Sequence, residues 1–238
     1  MARLPYFQLL RRGVRPAMIA PIFFLALSAS VVTSSVPQGA SLPEVPALAP
    51  IGPRVSLPLT VMASPHQDDR PAGAVIDTII LHDTETPGVT QARTIVNWFQ
   101  HPRSFVSAHY IIGKAGELIQ CVPDERRAWH AGPSKFEGRE KVNDFSLGIE
   151  LVNAQTGSDP FSDAQYRTLS VLTTDLVQRY GIPLERIVGH RHVTNYPGIK
   201  KDPADNFDWA RYKRGVAGLL AQGTQVVRQV SPATQARQ

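Results

Sequence analysis

Cysteine is nearly missing from this chain, which has 238 residues and a single cysteine, Cys121. A lone cysteine cannot form a disulfide bond within its own chain, so the folded part must be held together by its core and by any metal that it binds. Cys121 lies in the strand-like run 117–122, where a buried thiol is the common occupant. The alternative is a Cys-His peptidase, which predicts an activity that resists chelators and is lost in Cys121→Ala.

Three familiar catalytic motifs are also missing. The sequence contains no His-Glu-x-x-His helix motif, no Gly-x-Ser-x-Gly nucleophile elbow and no phosphate-binding loop. Their absence disfavours a thermolysin-like protease, a serine hydrolase of the elbow type and a nucleotide-binding enzyme.

Acidic residues are absent from the first 40 positions, which instead carry four arginines, at positions 3, 11, 12 and 15. Without these four charges the formal net charge falls from +5 to +1, so we expect no basic surface for nucleic acid. An apolar run follows, from Ala17 to Val32, and then small residues, which is the layout of a secretory signal peptide. We predict an exported, periplasmic protein in which residues 1–35 are a signal peptide or, if uncleaved, a membrane anchor.

Proline and small residues dominate the next stretch, where neither helical nor strand periodicity is sustained. Residues 36–63 are therefore predicted to be a Pro-rich linker. At the other end, the polar segment 223–238 is predicted to be a flexible tail. This leaves residues 64–222 as one folded domain, large enough to bury a substantial core.

Strand and helix patterns alternate within that domain. The run from Ala74 to His82 is almost continuously apolar, as expected for a central strand covered on both faces. Ser162 opens a long amphipathic helix that Gly181 ends. Further patterns predict a helix after Thr90, a hairpin within 108–122, a strand at 146–152 and a last helix at 209–220. The expected fold is a single α/β domain with a central mixed β-sheet flanked by helices.

Two histidines and an aspartate occupy the ends of predicted strands or turns: His82, His190 and Asp202. Such residues give Zn²⁺ three protein ligands and leave the fourth position for water. Glu150 lies in another strand among apolar neighbours, where its carboxylate suits proton transfer with that water. Each residue also has an ordinary structural explanation, as a core histidine or a turn aspartate, and spacing alone does not show that the three converge.

Longer strings of residues follow one another in a fixed order between Ser64 and Trp209. They are Ser64-Pro65, Arg70-Pro71, Ile80-Leu81-His82, Val106-Ser107-Ala108-His109-Tyr110, Arg127-Ala128-Trp129-His130-Ala131-Gly132, Asn143-Asp144-Phe145-Ser146-Leu147-Gly148-Ile149-Glu150-Leu151, Gly189-His190, Asp202-Pro203 and Phe207-Asp208-Trp209. By these strings the chain resembles the zinc-dependent N-acetylmuramoyl-L-alanine amidases of the AmpD type. This is the amidase-2 family, which is related to the peptidoglycan recognition proteins.

The resemblance implies a catalytic zinc centre with one Zn²⁺ per chain. Carried over by position, the metal ligands are His82, His190 and Asp202. Glu150 is implied as the general base and Lys200 as the group that stabilises the oxyanion.

The resemblance also implies a substrate and a reaction. His109, Trp129 and His130 are implied to line the substrate groove beside the zinc. The implied reaction cuts the amide between N-acetylmuramic acid and the first L-alanine of the stem peptide. The implied substrate is peptidoglycan or released muropeptides, including those with a 1,6-anhydro sugar, and the sequence does not choose between them.

The loop around Asp202 departs from the family pattern. Where the family usually has Asp-Pro-Gly-Pro, this chain has Asp202-Pro203-Ala204-Asp205. Lys201 competes with Lys200 for the oxyanion role, and His192 competes with His190 as a ligand.

One further alternative comes from a different functional class. Recognition proteins on this fold can lack the metal and bind muropeptides without cutting them. The presence of all three ligand positions and of Glu150 argues against such a binding module. We expect a monomer that contacts the membrane only through a retained signal anchor.

Overall fold

The computed structural model describes residues 52–232. The predicted signal segment, residues 1–35, lies outside the described residues, as do most of the predicted linker and residues 233–238. The prediction of export and of a signal anchor is therefore not tested by the fold.

The described residues form eleven β-strands and three α-helices. The strands are β1 (Arg54–Val61), β2 (Gln67–Asp69), β3 (Thr78–Asp83), β4 (Tyr110–Ile112), β5 (Leu118–Gln120), β6 (Arg126–Ala128), β7 (Lys135–Phe136), β8 (Arg139–Glu140), β9 (Ser146–Leu151), β10 (Ile187–Gly189) and β11 (Gln225–Pro232). The helices are α1 (Ala92–Phe99), α2 (Asp163–Tyr180) and α3 (Trp209–Ala221). Short 3₁₀ turns occupy Val142–Asp144, Leu184–Arg186 and His190–His192.

Seven of the strands form one mixed sheet, in the order β10-β3-β9-β4-β5-β1-β11. Its neighbouring strands are parallel except β4 and β5, which form the predicted antiparallel hairpin. The remaining strands form two small antiparallel pairs, β2 with β6 and β7 with β8. The predicted α/β fold with a central mixed sheet is confirmed.

The two faces of the central sheet have different partners because side chains alternate along a strand. Ile79 and Leu81 of β3 belong to the large core that also contains the buried residues of α2 and α3. The other face carries His82, Glu150 and Ile111, and α1 packs there against Ile111. His82 and Glu150 therefore project on the side of the sheet that α2 and α3 leave free.

Local signals account for the ends of the long helix. Ser162 Oγ accepts a hydrogen bond from the Gln165 backbone N–H at 3.1 Å, and the Gln165 side chain accepts one from the Ser162 N–H at 3.0 Å. This reciprocal capping box starts α2, and Gly181 ends it with a φ of 66°. Within residues 52–232, the helices are too short or too polar to cross a membrane.

The predicted linker and tail each contribute a strand, which corrects the predicted domain limits of 64 and 222. β1 lies within the predicted linker 36–63, and β11 lies within the predicted tail 223–238. Leu57 and Leu59 are each 2% exposed, while the intervening Pro58 faces solvent. This alternation makes β1 a half-buried strand in spite of its proline. The folded domain thus includes residues 54–232.

Candidate metal centre and active site

Strand register places His82 beside Glu150. The two residues are direct neighbours in the parallel pair of β3 and β9, so their side chains project from the same face of the sheet. Both positions come late in their strands, at the carboxyl edge where sites in α/β sheets commonly form. The register of the sheet thus places a histidine next to a carboxylate.

The other two predicted ligands reach the same edge. β10 runs parallel to β3 with Gly189 opposite Leu81, so the next residue, His190, lies beside His82. Asp202 comes from the loop before α3, and its carboxylate Oδ2 lies 2.9 Å from His82 Nδ1 and 3.0 Å from His190 Nδ1. The candidate ligand atoms of all three residues lie within 4.8 Å of one another, and all three residues are buried.

The hydrogen-bond network assigns the ring tautomer of His82. The Ser146 hydroxyl donates to the Val142 carbonyl at 2.6 Å, so its oxygen accepts from His130 Nε2–H at 3.3 Å. His130 Nδ1 must then be the acceptor for His82 Nε2–H, at 3.1 Å. His82 Nδ1 consequently carries a lone pair, and that lone pair faces Asp202.

His190 reaches the same state by a shorter route. Its Nε2 lies 3.3 Å from the carbonyl oxygen of Ala131, which can only accept, so Nε2 carries the proton. His190 Nδ1 therefore also presents a lone pair to the Asp202 carboxylate. Two lone pairs and an anion at about 3 Å repel one another unless a cation joins them.

The donor set fits a divalent transition metal. Two imidazole nitrogens and one carboxylate oxygen form a ligand set that zinc accepts in catalytic sites, where a fourth position stays open. Asp202 Oδ1 is buried and has no hydrogen-bond partner among the described residues, so this oxygen can still bind a cation at the centre of the site. Burial lowers the pKa of His82 to about 4, which keeps its ring neutral, as a metal ligand must be.

Glu150 is the carboxylate closest in register to this centre, and its environment is unusual. Burial raises the pKa of Glu150 well above the ordinary value, and the negative charge of Asp202 raises it further. Its Oε2 is buried and has no hydrogen-bond partner among the described residues. A carboxyl group whose affinity for a proton is raised in this way is suited to take up a proton during a reaction and release it again.

A cavity of about 280 Å³ opens over these residues. One part of its wall is apolar and includes Trp98, Val106 and Trp129, while another part is polar and includes Glu85 and Lys200. The Lys200 ammonium lies 3.8 Å from the Glu85 carboxylate, and both side chains are 44% exposed. A larger cavity of about 990 Å³ lies between β1, β5 and the starts of α1 and α2, and its lining includes none of the three candidate ligands.

The three predicted groove residues differ in their contacts and in their exposure to the cavity. Trp129 lines the cavity, and its ring contacts His66. His130 also lines the cavity, but it is only partly exposed and both its ring nitrogens are engaged by His82 and Ser146. It therefore supports a ligand as well as forming part of the wall.

His109 does not lie on the cavity wall. It is completely buried, its Nδ1 accepts from the Gly148 N–H at 2.9 Å, and its Nε2 faces the Arg126 carbonyl at 3.1 Å. Burial lowers the pKa of His109 to about 3, so the ring is neutral. The structure places His109 against His130, with ring centroids 5.6 Å apart, and its hydrogen bond with the Gly148 backbone holds the ring off the cavity wall.

The rival residues lie away from the centre. His192 Nδ1 accepts from the Gly189 N–H at 3.1 Å, and the ring packs near Trp209. Lys201 is exposed and does not line the cavity, unlike Lys200. Cys121 is buried in the cluster beneath α1, and burial raises the pKa of its thiol, so it does not resemble an activated nucleophile.

Three contributors were missed from the sequence: Ser146, Asp83 and Arg191. Ser146 fixes the His130 ring, and the other two bond the loop that carries Asp202. Asp83 and Arg191 directly follow the two histidine ligands, and that adjacency is the one signal that could have identified them.

The fold and the site together define an α/β protein with a candidate metal centre beside a buried carboxyl group, and the comparisons specify the family. The profile of the N-acetylmuramoyl-L-alanine amidase family, Amidase_2, matches residues 72–205, more than half of the chain. The chain belongs to this family.

Individual relatives agree. The 1,6-anhydro-N-acetylmuramyl-L-alanine amidase AmpD of Haemophilus influenzae is 40% identical over 168 residues, which cover 64% of this chain and 89% of that protein. A crystal structure of an AmpD derivative is similar with a TM-score of 0.58 and 36% identity, over 71% of this chain and 96% of that one. The E. coli amidase AmiD, in complex with anhydro-N-acetylmuramic acid-L-Ala-D-γ-Glu-L-Lys, is similar with a TM-score of 0.52 and 28% identity, over 61% of this chain and 60% of that one.

Proposed function

We propose that this protein is a zinc-dependent amidase that hydrolyses the bond between N-acetylmuramic acid and the L-alanine of the stem peptide. One observation carries the proposal: the lone pairs of His82 and His190 converge on Asp202 beside the buried carboxyl of Glu150. Family membership supports it, because the family is named for cleavage of this same amide bond.

His82, His190 and Asp202 would hold one Zn²⁺ per chain. Bound there, the metal would supply Lewis acidity, polarising a water molecule and lowering its pKa toward neutrality. His130 and Ser146 keep His82 in the tautomer that offers Nδ1 to the site.

Glu150 moves the proton. Its carboxylate accepts a proton as water attacks the amide carbonyl carbon, and burial has already raised its affinity for that proton. When the C–N bond breaks, the same group returns the proton to the alanine nitrogen, which leaves as an amine. Glu150 thus ends each turnover in its starting state.

Lys200 supplies positive charge to the reacting carbonyl oxygen. Its ammonium lines the cavity that contains Glu150 and Asp202. Its contact with Glu85, at 3.8 Å, is a half-exposed ion pair, so the ammonium can still interact with a substrate. Removing one such oxyanion-stabilising group typically costs about 10²- to 10³-fold in rate.

The substrate proposed is a muropeptide, free or within peptidoglycan. AmpD of Haemophilus influenzae is named as a 1,6-anhydro-N-acetylmuramyl-L-alanine amidase. The solved structure of AmiD contains an anhydromuramyl peptide as its substrate. In this chain the apolar wall at Trp98, Val106 and Trp129 suits a sugar ring, and the polar wall at Glu85 and Lys200 suits a peptide. Export to the periplasm and action as a monomer are proposed on the sequence alone.

Product analysis tests the proposal. Purified protein would be incubated with anhydromuramyl tripeptide and, separately, with whole sacculi, and the products identified by mass spectrometry. We expect a free L-alanine amine and a lactyl carboxylate, loss of both on chelation, and recovery with Zn²⁺. A binding module would bind the tripeptide without cutting it, and a Cys121 peptidase would be insensitive to the chelator.

A matched lysine pair tests the oxyanion assignment in the same assay. Lys200→Ala should lower kcat by about 10²- to 10³-fold, whereas Lys201→Ala should leave it nearly unchanged. Equal losses in the two variants would contradict the assignment to Lys200.

A further inference from the structure

The Asp202 ligand lies on a loop, whereas His82 lies in a strand and His190 directly follows one. Strand residues are held by the hydrogen bonds of the sheet, but a loop carboxylate needs other contacts to keep its position. Positions of metal ligands decide metal affinity, so whatever holds this loop also affects the metal centre.

The residue after His82 reaches the loop with its side chain. Asp83 Oδ2 accepts a hydrogen bond from the backbone N–H of Ala204 at 2.6 Å, two residues beyond Asp202. Its other oxygen accepts from the Glu85 N–H at 3.3 Å. Asp83 is 4% exposed, so water does not compete for these bonds.

The residue after His190 reaches the same loop. The Arg191 backbone N–H donates to the Asp202 carbonyl at 3.1 Å. Its guanidinium donates to the carbonyls of Lys201 and Pro203, on either side of Asp202, and to the Asp205 carboxylate at 2.5 Å. One arginine therefore spans the loop from residue 201 to residue 205.

We infer that Asp83 and Arg191 form a clamp that positions Asp202 for the metal and sets the affinity of the site for a divalent cation. Each histidine ligand is thereby joined through its next residue to the loop of the third ligand. The inference rests on the proposed metal centre. The Arg191 part of the clamp suits this chain in particular, because the carboxylate of Asp205, which Arg191 bonds, stands at a position where the loop departs from the family pattern.

Zinc affinity of the full chain tests the clamp without any measurement of turnover. Metal-free protein would compete for Zn²⁺ with a chromophoric chelator at 25 °C. We expect Asp83→Ala to weaken zinc binding by about 10- to 100-fold, and Asp83→Asn, which keeps an oxygen acceptor for Ala204, to restore most of the affinity. The control is Glu117→Ala, because Glu117 also accepts a backbone N–H, from Ala92 at 2.8 Å, but does not line the metal cavity.

Arg191→Ala provides a second, independent route, since the side chain is 28% exposed and its loss leaves the sheet intact. We expect it to weaken zinc binding over the same range, with Arg191→Lys intermediate. Thermal unfolding with and without Zn²⁺ separates positioning from general stability. A positioning role shrinks the rise in Tm that zinc produces, whereas a merely structural role lowers both Tm values equally.

The outcomes are distinct. Zinc affinities of Asp83→Ala and Arg191→Ala equal to the wild type would overturn the clamp while leaving the metal centre in place. Failure of the wild type itself to bind zinc would overturn the metal centre and the clamp together. If Asp83→Ala does not fold, Arg191→Ala decides by the same criterion.

Discussion

His82 Nε2 lies 3.1 Å from His130 Nδ1, and this contact decides which nitrogen of His82 faces the metal site. His130 can accept the His82 proton only because its own Nε2–H is directed to Ser146. The chain of hydrogen bonds continues to the Val142 carbonyl, which fixes its direction. A ligand tautomer is thus determined by a backbone group four residues before Ser146.

The first prediction removes this acceptor. His130→Ala leaves the His82 Nε2–H without its partner, so the ring loses its fixed orientation. We expect zinc affinity to fall by about 10- to 100-fold, measured by chelator competition. His101→Ala, at an exposed histidine outside this network, is the control and should bind zinc as the wild type does. Unchanged affinity in His130→Ala would contradict the assigned tautomer.

The second prediction uses a glycine beneath the same ring. A Cβ added at Gly148 would lie 2.5 Å from His130 Cγ and 2.8 Å from its Nδ1. We expect Gly148→Ala to destabilise the fold by about 1–3 kcal/mol, because the His130 ring would have to leave its hydrogen bonds with His82 and Ser146, and to weaken zinc binding as well. Gly218 in α3 has no atom within 4 Å of such a Cβ, so Gly218→Ala should stabilise by about 0.5–1 kcal/mol. Chemical denaturation measures both changes.

The third prediction concerns the apolar wall. Trp98 is 51% exposed on the cavity wall, and its ring stacks on His101 with an interplanar angle of 14°. If the wall binds the sugar, Trp98→Ala should raise KM for anhydromuramyl tripeptide by about 10- to 100-fold. It should leave KM nearly unchanged for a lactoyl tripeptide that lacks the sugar ring. Phe105→Ala, at an exposed phenylalanine outside the lining, is the control.

Equal increases in KM for the two substrates would contradict a sugar contact at Trp98. The wall would then bind the peptide or the lactyl group. The product assay is unaffected by either result, so this prediction fails separately from the amidase proposal.

Most of the central fold was predictable from the sequence because local patterns agreed with it. The continuous apolar run ending at His82 specified a buried strand, and the Ser162 capping box with Gly181 specified the limits of α2. The last two strands at one end of the sheet, β1 and β11, were not predicted. Prolines obscured the alternation of β1, and β11 is a mostly exposed strand whose pairing depends on β1, a partner about 170 residues away in sequence.

The fourth prediction tests the strand that was expected to be a flexible tail. Arg228 of β11 pairs with Asp175 of α2 at 2.6 Å and with Asp124 at 3.3 Å, and all three side chains are largely buried. Arg228→Ala removes the cation shared by two buried carboxylates, which keep only their bonds to Arg179 and to tyrosine hydroxyls, so we expect a loss of about 2–3 kcal/mol in the free energy of unfolding. The exposed Arg214 provides the control, and Arg214→Ala should change stability by less than about 0.5 kcal/mol. A flexible tail would give no difference between the two variants.

The candidate ligands were predictable in identity but not in geometry. Residues at strand ends suggested a metal site, and the resemblance selected His82, His190 and Asp202 among several histidines. Register then explains why His82 meets Glu150, which no local pattern contains. His109 shows the limit of assigning roles by position in a motif. It lies next to His130, yet it is fully buried and bonded to the Gly148 backbone, so it does not reach the cavity.

The most direct test of the central claim combines two measurements on one preparation of Glu150→Ala. The account assigns metal binding to His82, His190 and Asp202 and proton transfer to Glu150, so the two functions should separate. We predict that the variant binds one Zn²⁺ per chain with wild-type affinity and releases L-alanine amine from anhydromuramyl tripeptide at least about 10²-fold more slowly than the wild type. Wild-type turnover by Glu150→Ala, or loss of its zinc, would contradict the account.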